Sequence, residues 1–140
     1  MSPERDKELC ERFPQIFKDR SGDPRATLMC FGFECGDGWF NIIDALCRNI
    51  NAHVNHKRHQ HRDMSDDQFA EEHGVVAVQV KEKWGGLRFY VNGSDDYVRG
   101  LIDMAEAISF RTCETCGDAG MPRKGGWVRT LCDKHAGSDK

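Results

Sequence analysis

The sequence predicts an α+β protein in which helices surround a β-hairpin or small antiparallel sheet. Three observations predict this class. Apolar residues recur at the helical period over residues 39–50 and 98–108, and residues 75–91 read as two strands separated by glycines. Cysteine and histidine pairs then follow near the C-terminal end. We expect residues 1–110 to form the core and residues 111–140 to form a second module packed on it.

The N-terminal part is predicted to contribute two helices. Residues 4–18 carry apolar side chains at three- and four-residue spacing, and Pro14 is expected to end or kink that helix. The apolar run 28–33 is too short to distinguish a buried segment from a strand. Asp37 is placed to cap the next helix, whose apolar stripe covers residues 39–50.

Three glycines before that second helix raise the question of a phosphate-binding loop. They are Gly32, Gly36 and Gly38. Their spacing matches neither common phosphate-loop motif, and two acidic residues lie among them. We therefore interpret these glycines as part of a capped helix entry.

Residues 51–63 are unusually rich in histidine and basic side chains. The histidines are His53, His56, His59 and His61. Three interpretations remain open: a second metal site, a basic loop that contacts nucleic-acid phosphates, and a solvated helix end. A polar linker is expected from there to about residue 74.

The next segment predicts a β-hairpin. Residues 75–80 are strand-forming, Gly85 and Gly86 are expected to supply the positive φ angles of the turn, and residues 87–91 alternate. One face of the hairpin is then core. The other face carries Lys81, Lys83, Trp84, Arg88 and Tyr90. This face fits either a partner-binding groove or an ordinary solvent-exposed surface.

A helix capped by Ser94 or Asp95 is expected next, with an apolar stripe over residues 98–108. Only Arg111 and Thr112 separate its expected end from Cys113. The C-terminal module should therefore pack on this helix rather than hang from a flexible tether.

Two ligand pairs define the C-terminal module. Cys113 and Cys116 precede Gly117, and Cys132 and His135 follow a glycine turn and a predicted strand at 127–131. This spacing is typical of a structural zinc site built as a zinc-knuckle hairpin. Three thiolates and one imidazole leave no open coordination position. The alternative is a reactive dithiol with unrelated neighbours. The helix that ends a treble-clef zinc fold is expected to shrink to one turn here.

Composition limits the function classes. The formal net charge is −3, spread evenly along the chain, which argues against a partner held by bulk electrostatics. No stretch is apolar enough to cross a membrane, and we expect a cytoplasmic protein. The other cysteines are expected to be reduced and mostly buried: Cys10, Cys30, Cys35 and Cys47. A second metal site at Cys30 and Cys35 is the alternative.

Three segments together resemble a family of small uncharacterised proteins of bacteria, phages and prophages. They are residues 31–40, residues 80–90 and the Cys113–His135 module. The resemblance implies zinc ligands at Cys113, Cys116, Cys132 and His135, and it implies no catalytic residue. It also suggests a phage setting, in which small proteins often bind and inhibit a host enzyme or defence complex in the host cytoplasm.

A binding function is favoured over catalysis. A zinc-containing nuclease would place a His or Asp base on the hairpin between the ligand pairs, where this chain has basic residues and Trp127. The expected partner is a host protein or complex, and nucleic acid is the alternative. The predicted partner surface contains Trp84, Arg88, Tyr90, Arg123, Lys124, Trp127 and Arg129. Trp127 could instead fill the interior of its own hairpin.

Overall fold

The computed structural model describes residues 1–137 and has the predicted α+β architecture. The elements are α1 (Pro3–Arg12), β1 (Phe33–Glu34), α2 (Phe40–Gln60), α3 (Asp66–His73), β2 (Val76–Lys83), β3 (Gly86–Asn92), α4 (Asp96–Ser109), β4 (Met121–Arg123), β5 (Arg129–Leu131) and α5 (Asp133–Ala136). The predicted C-terminal module extends to residue 140, so its last three residues lie outside the described part. Within residues 1–137, no helix combines the length and apolar character needed to span a bilayer.

The larger sheet has the strand order β1-β2-β3. β2 and β3 form the predicted antiparallel hairpin, in which Val80 faces Phe89, and the short β1 runs parallel to β2. The turn differs from the prediction, because its positive φ angles belong to Trp84 (56°) and Gly85 (80°). Gly86 is required for another reason: a Cβ there would lie 2.2 Å from the Phe110 ring.

One apolar core unites helices α1, α2 and α4 with this sheet. Buried side chains from α1, α2, β2, β3 and α4 form a single cluster that includes the completely buried Trp39. α1 ends before Pro14, as predicted, and the following turns still bury Phe13, Ile16 and Phe17. Burying each such large side chain contributes on the order of 2 kcal/mol. The core therefore has its own source of stability, separate from the C-terminal module.

Two predictions about the middle of the chain are wrong. Asp37 does not cap α2; it begins a 3-10 turn, Asp37–Trp39, and its carboxylate accepts a hydrogen bond from the Ser2 N–H at 2.7 Å. The expected polar linker contains helix α3. Ser65 and Gln68 form a capping box at its start, and this Ser-x-x-Gln signal was present in the sequence.

Helix α4 follows the prediction closely. The Asp95 carboxylate caps it by accepting a hydrogen bond from the Val98 N–H at 2.9 Å. Its buried side chains include Val98, Ile102 and Ala105, which face the core. The chain then turns directly into the C-terminal module, whose strands β4 and β5 pair antiparallel.

Candidate functional site

The four predicted metal ligands lie close together in the C-terminal module. Their ligand atoms all fall within 4.8 Å of one another. The His135 Nδ1 atom is 3.6 Å from the Cys113 sulfur and 3.2 Å from the Cys132 sulfur, and the Cys116 and Cys132 sulfurs are 3.8 Å apart. Ordinary zinc bond lengths in a tetrahedron require about 3.8 Å between sulfurs and about 3.6 Å between sulfur and nitrogen. The cluster can hold a metal ion.

Two tight turns bring the ligands together. In the first, the Gly117 N–H donates to the Cys113 carbonyl at 2.9 Å, and Gly117 adopts a φ of 85°, which favours glycine. In the second, the Cys132 carbonyl accepts hydrogen bonds from the His135 and Ala136 N–H groups at 3.1 and 2.9 Å. This is the first turn of the four-residue α5, and it returns His135 to the side of Cys132. The short α5 agrees with the expected single turn.

Backbone amides lower the pKa of the buried Cys113 thiol in the first turn. Burial raises the pKa of Cys113, but three N–H groups stabilise its thiolate and together lower that pKa to about 6. The donors are those of Cys132, Cys116 and Thr115. Thiolate is the form that binds metal, so these amides favour a loaded site. An array of amides around cysteine sulfur also suits the excess negative charge of three thiolates on one divalent ion.

The first ligand turn packs closely on the start of the α2 region. The Gly38 N–H donates to the Glu114 carbonyl at 2.8 Å, and the Gly36 N–H donates to the Glu114 carboxylate at 3.0 Å. A Cβ on Gly38 would lie 2.1 Å from the Cys113 carbonyl oxygen. The glycines therefore permit backbone contact with the module, which replaces the helix-entry interpretation. Glu114 is 7% exposed, and Arg129 lies 3.6 Å from its other carboxylate oxygen.

Sequence reasoning missed Glu114 because its role depends on tertiary contact. Nothing in the spacing of Cys113 and Cys116 indicates that the residue between them would be buried. A second contact was equally invisible: the Trp39 indole N–H donates to the Thr112 carbonyl at 2.9 Å. These bonds connect the ligand turn to the centre of the hydrophobic core.

The second attachment of the module is to the tip of the β2–β3 hairpin. The Thr130 hydroxyl, fully buried, donates to the Gly85 carbonyl at 2.6 Å. Glu82 connects both sides, because its carboxylate accepts the Gly85 N–H at 2.7 Å and the Trp127 indole N–H at 3.3 Å. Packing of the module on α4 stays a prediction; the attachments described here are to this hairpin tip and to the turn at Gly36–Trp39.

The attachment at the hairpin tip leaves a groove lined by Trp84 and Trp127. Each tryptophan is 73% exposed, which rules out the alternative that Trp127 fills the interior of its hairpin. The groove has a volume of about 250 Å³. Its lining is Lys81, Glu82, Lys83, Trp84, Gly126, Trp127 and Val128. We call it the twin-tryptophan groove.

The other predicted surface residues fall into two groups. Arg88 and Tyr90 lie on the outer face of the sheet, opposite Lys81 and Gln79, and Tyr90 is 41% exposed. Lys124 is exposed in the loop before Trp127. The remaining two, Arg123 and Arg129, bind to other groups of the C-terminal module.

Those two residues are Arg123 and Arg129. Arg123 donates to the Leu131 carbonyl at 3.0 Å and to the Asp133 carboxylate at 2.6 Å, while Arg129 is paired with the buried Glu114. Changing either arginine would alter the module itself as well as any surface it presents.

The histidine-rich segment forms the last turns of α2 and the turn that follows the helix. His53 and Lys57 both contact the Asp95 carboxylate, with His53 at 2.7 Å, so they hold the start of α4. His61 stacks on His73 of α3 with ring centroids 4.6 Å apart. Within residues 1–137, three or more metal-ligand side chains come together only at the C-terminal cluster.

The remaining cysteines are separate from that cluster. All four are free thiols; Cys35 and Cys47 are buried, whereas Cys10 and Cys30 are partly exposed. Burial raises the pKa of Cys10 and that of Cys35 to about 12, which suppresses thiolate formation. The thiols of Cys10 and Cys35 are therefore poor nucleophiles.

Comparison with known proteins yields no match to a family model, a curated protein or a solved structure.

Proposed function

We propose that this chain is a zinc-stabilised binding protein whose metal is structural. The twin-tryptophan groove is the observation that supports this function, because exposed tryptophans are unusual on a surface and are favoured at binding sites. One wall of the groove belongs to the core hairpin and the other to the C-terminal module. A metal that fixes the module would also fix the width of the groove.

The metal is zinc in this proposal, held in a truncated treble-clef-like zinc knuckle by Cys113, Cys116, Cys132 and His135. Three sulfurs and one nitrogen at tetrahedral spacing suit zinc and complete its coordination, so no water is activated. Elemental analysis of the purified protein should give one zinc per chain. A Cys116→Ser variant should lose most of it, whereas a Cys30→Ser control should keep it. A purified protein that contains no metal and is nevertheless fully folded in residues 111–137 would contradict the assignment.

The partner in this proposal is a protein. A pair of exposed aromatic side chains beside a small number of charges resembles the centre of a protein interface. The family resemblance of residues 31–40 and 80–90 suggests that the partner is a host protein or complex in the cytoplasm, which the chain would bind and inhibit. Nucleic acid is the second candidate, favoured by the lysines at the groove.

A capture experiment separates the two candidates. Host lysate is passed over the immobilised protein with and without nuclease treatment, at low and high salt. A protein partner should survive nuclease and lose little binding with salt, whereas nucleic-acid binding should fall steeply. The Trp84→Ala/Trp127→Ala double variant should lose the partner. A Met104→Ala variant, changed at an exposed site on α4, is the matched control. Equal capture by all three proteins would place recognition elsewhere.

A further inference from the structure

The twin-tryptophan groove carries an excess of positive charge. Lys81 and Lys83 line it, and Lys124 lies in the loop that leads to Trp127. Among residues 1–137, the ion pairs of the structure involve none of these three lysines. The one carboxylate in the lining, Glu82, already accepts two internal hydrogen bonds. The groove therefore favours an anionic ligand.

The backbone at Trp84 and the indole of Trp127 are both held in place before any ligand arrives. Trp84 has a φ of 56° at the hairpin turn, a conformation maintained by the Gly85 N–H bond to Glu82. The same carboxylate accepts the Trp127 indole N–H. A ligand group that enters the groove does not have to order the hairpin turn or the Trp127 ring, which reduces the entropy cost of binding.

The positive charges continue along the outer face of the sheet. Lys81 and Lys83 are two residues apart on β2, so their side chains leave the same face about 7 Å apart. Arg88 lies opposite Lys81 on β3, and the carboxylate of Glu34 lies opposite Lys81 on β1, so the row keeps a net positive charge. An extended peptide also presents alternate side chains about 7 Å apart on one side. Acidic residues at alternate positions of such a peptide would match this cationic row.

We infer that the groove binds an extended acidic segment of the partner protein, with one aromatic or proline side chain inserted between Trp84 and Trp127. This inference rests on the proposed binding function and adds the chemistry of the partner. A single-stranded nucleic acid also combines charge with flat rings. The acidic peptide is favoured because its alternate side chains match the spacing of Lys81 and Lys83. A nucleic acid is disfavoured because the net charge of −3 and the pI near 6.1 lack the basic field of a nucleic-acid-binding domain.

Tryptophan fluorescence provides the test. The chain has three tryptophans, and Trp39 is completely buried, so changes on titration report mainly on the groove. The probes are a capped pentapeptide with two glutamates on each side of a phenylalanine, its glutamine and lysine counterparts, and an eight-nucleotide oligothymidylate. We expect saturable binding of the glutamate peptide alone. Lys81→Glu/Lys83→Glu should weaken it at least about tenfold, the loss expected for two ion pairs.

Control variants distinguish a failure of this inference from a failure of the proposed function. Lys18→Glu is the charge control outside the groove, and zinc content is measured for each variant. Because charge reversal in a strand can disturb folding, Lys81→Gln/Lys83→Gln repeats the test more mildly and should weaken binding severalfold. Binding of oligothymidylate but not the glutamate peptide would overturn the inference in favour of nucleic acid. If no probe binds while the double tryptophan variant still loses its lysate partner, the acidic-peptide inference is wrong and the binding function stands.

Discussion

Single residues decide how closely the C-terminal module can approach the core. Gly36 and Gly38 are valuable here for the space they leave, since the Glu114 and Cys113 backbone atoms occupy the positions of their missing Cβ atoms. Glu114 then uses its buried carboxylate to accept the Gly36 N–H. A buried carboxylate with so few donors is costly unless its contacts are kept, so this contact tolerates little movement.

A methyl group at Gly38 should therefore destabilise the docked module. In Gly38→Ala the new Cβ would lie 2.1 Å from the Cys113 carbonyl oxygen, a backbone atom that cannot rotate away. We expect a loss of about 2 kcal/mol in the free energy of unfolding, the usual cost of overpacking. Urea unfolding of the metal-loaded protein measures it. Gly125→Ala is the matched control, because nothing lies within 4 Å of its Cβ position. Equal stability of the two variants would contradict the close approach.

At the scale of elements, helix α2 holds the start of α4. Burial alone would raise the pKa of Asp95, but hydrogen bonds from His53 and Lys57 keep it well below its usual range. The same carboxylate caps α4 through the Val98 N–H. Asp95 thus combines helix capping with an attachment to a neighbouring helix, and it gives two members of the histidine-rich region a structural role.

Two substitutions of Asp95 should separate these contributions. Asp95→Asn keeps a good cap and removes the charge, so it should cost about 0.5 kcal/mol, whereas Asp95→Ala should cost about 1–2 kcal/mol. Because the folded pKa is depressed, the stability due to the charge is present above the unfolded pKa of about 3.9 and is lost as pH falls through the folded value. Thermal unfolding should show a gap to Asp95→Asn at pH 5 that narrows as the pH falls below about 4. A gap that widened between pH 4 and pH 2 would contradict this assignment.

Elements with strong local signals were predictable, and contacts between elements were not. Helix α4, the β2–β3 hairpin and the four clustered ligands follow from periodicity, turn residues and pair spacing. The α3 helix was missed because a capping box is a weak signal beside a polar composition. The hairpin turn was assigned to Gly85 and Gly86, but Phe110 requires the second glycine and Trp84 takes the left-handed position instead. The position of the turn therefore depends on Phe110, a side chain distant in sequence.

At the scale of the whole molecule, the module touches the core at two separated places. One is the turn at Gly36–Trp39, and the other is the hairpin tip at Glu82–Gly85. Helix α1 and helix α3 lie outside both contacts. The loosening caused by metal loss should therefore extend from the ligand turns to these two places and leave the remaining core folded.

Chelation should reveal this division by hydrogen exchange. Removing the proposed zinc ion with a strong chelator should lower the opening free energy of residues 111–137 by about 3 kcal/mol or more, since structural zinc sites contribute strongly to folding. Residues 36–39 and 82–85 should lose protection to a smaller extent, and α1 should retain its own. The Cys30→Ser variant should respond like the parent, whereas Cys116→Ser should begin in the loosened state. Uniform loss of protection along the chain would mean that the core depends on the metal, and unchanged protection would mean that the metal does not hold the module.

Because Trp127 is held through the module and Trp84 through the core, the loosened state should also lose the proposed partner, even though neither tryptophan is a metal ligand.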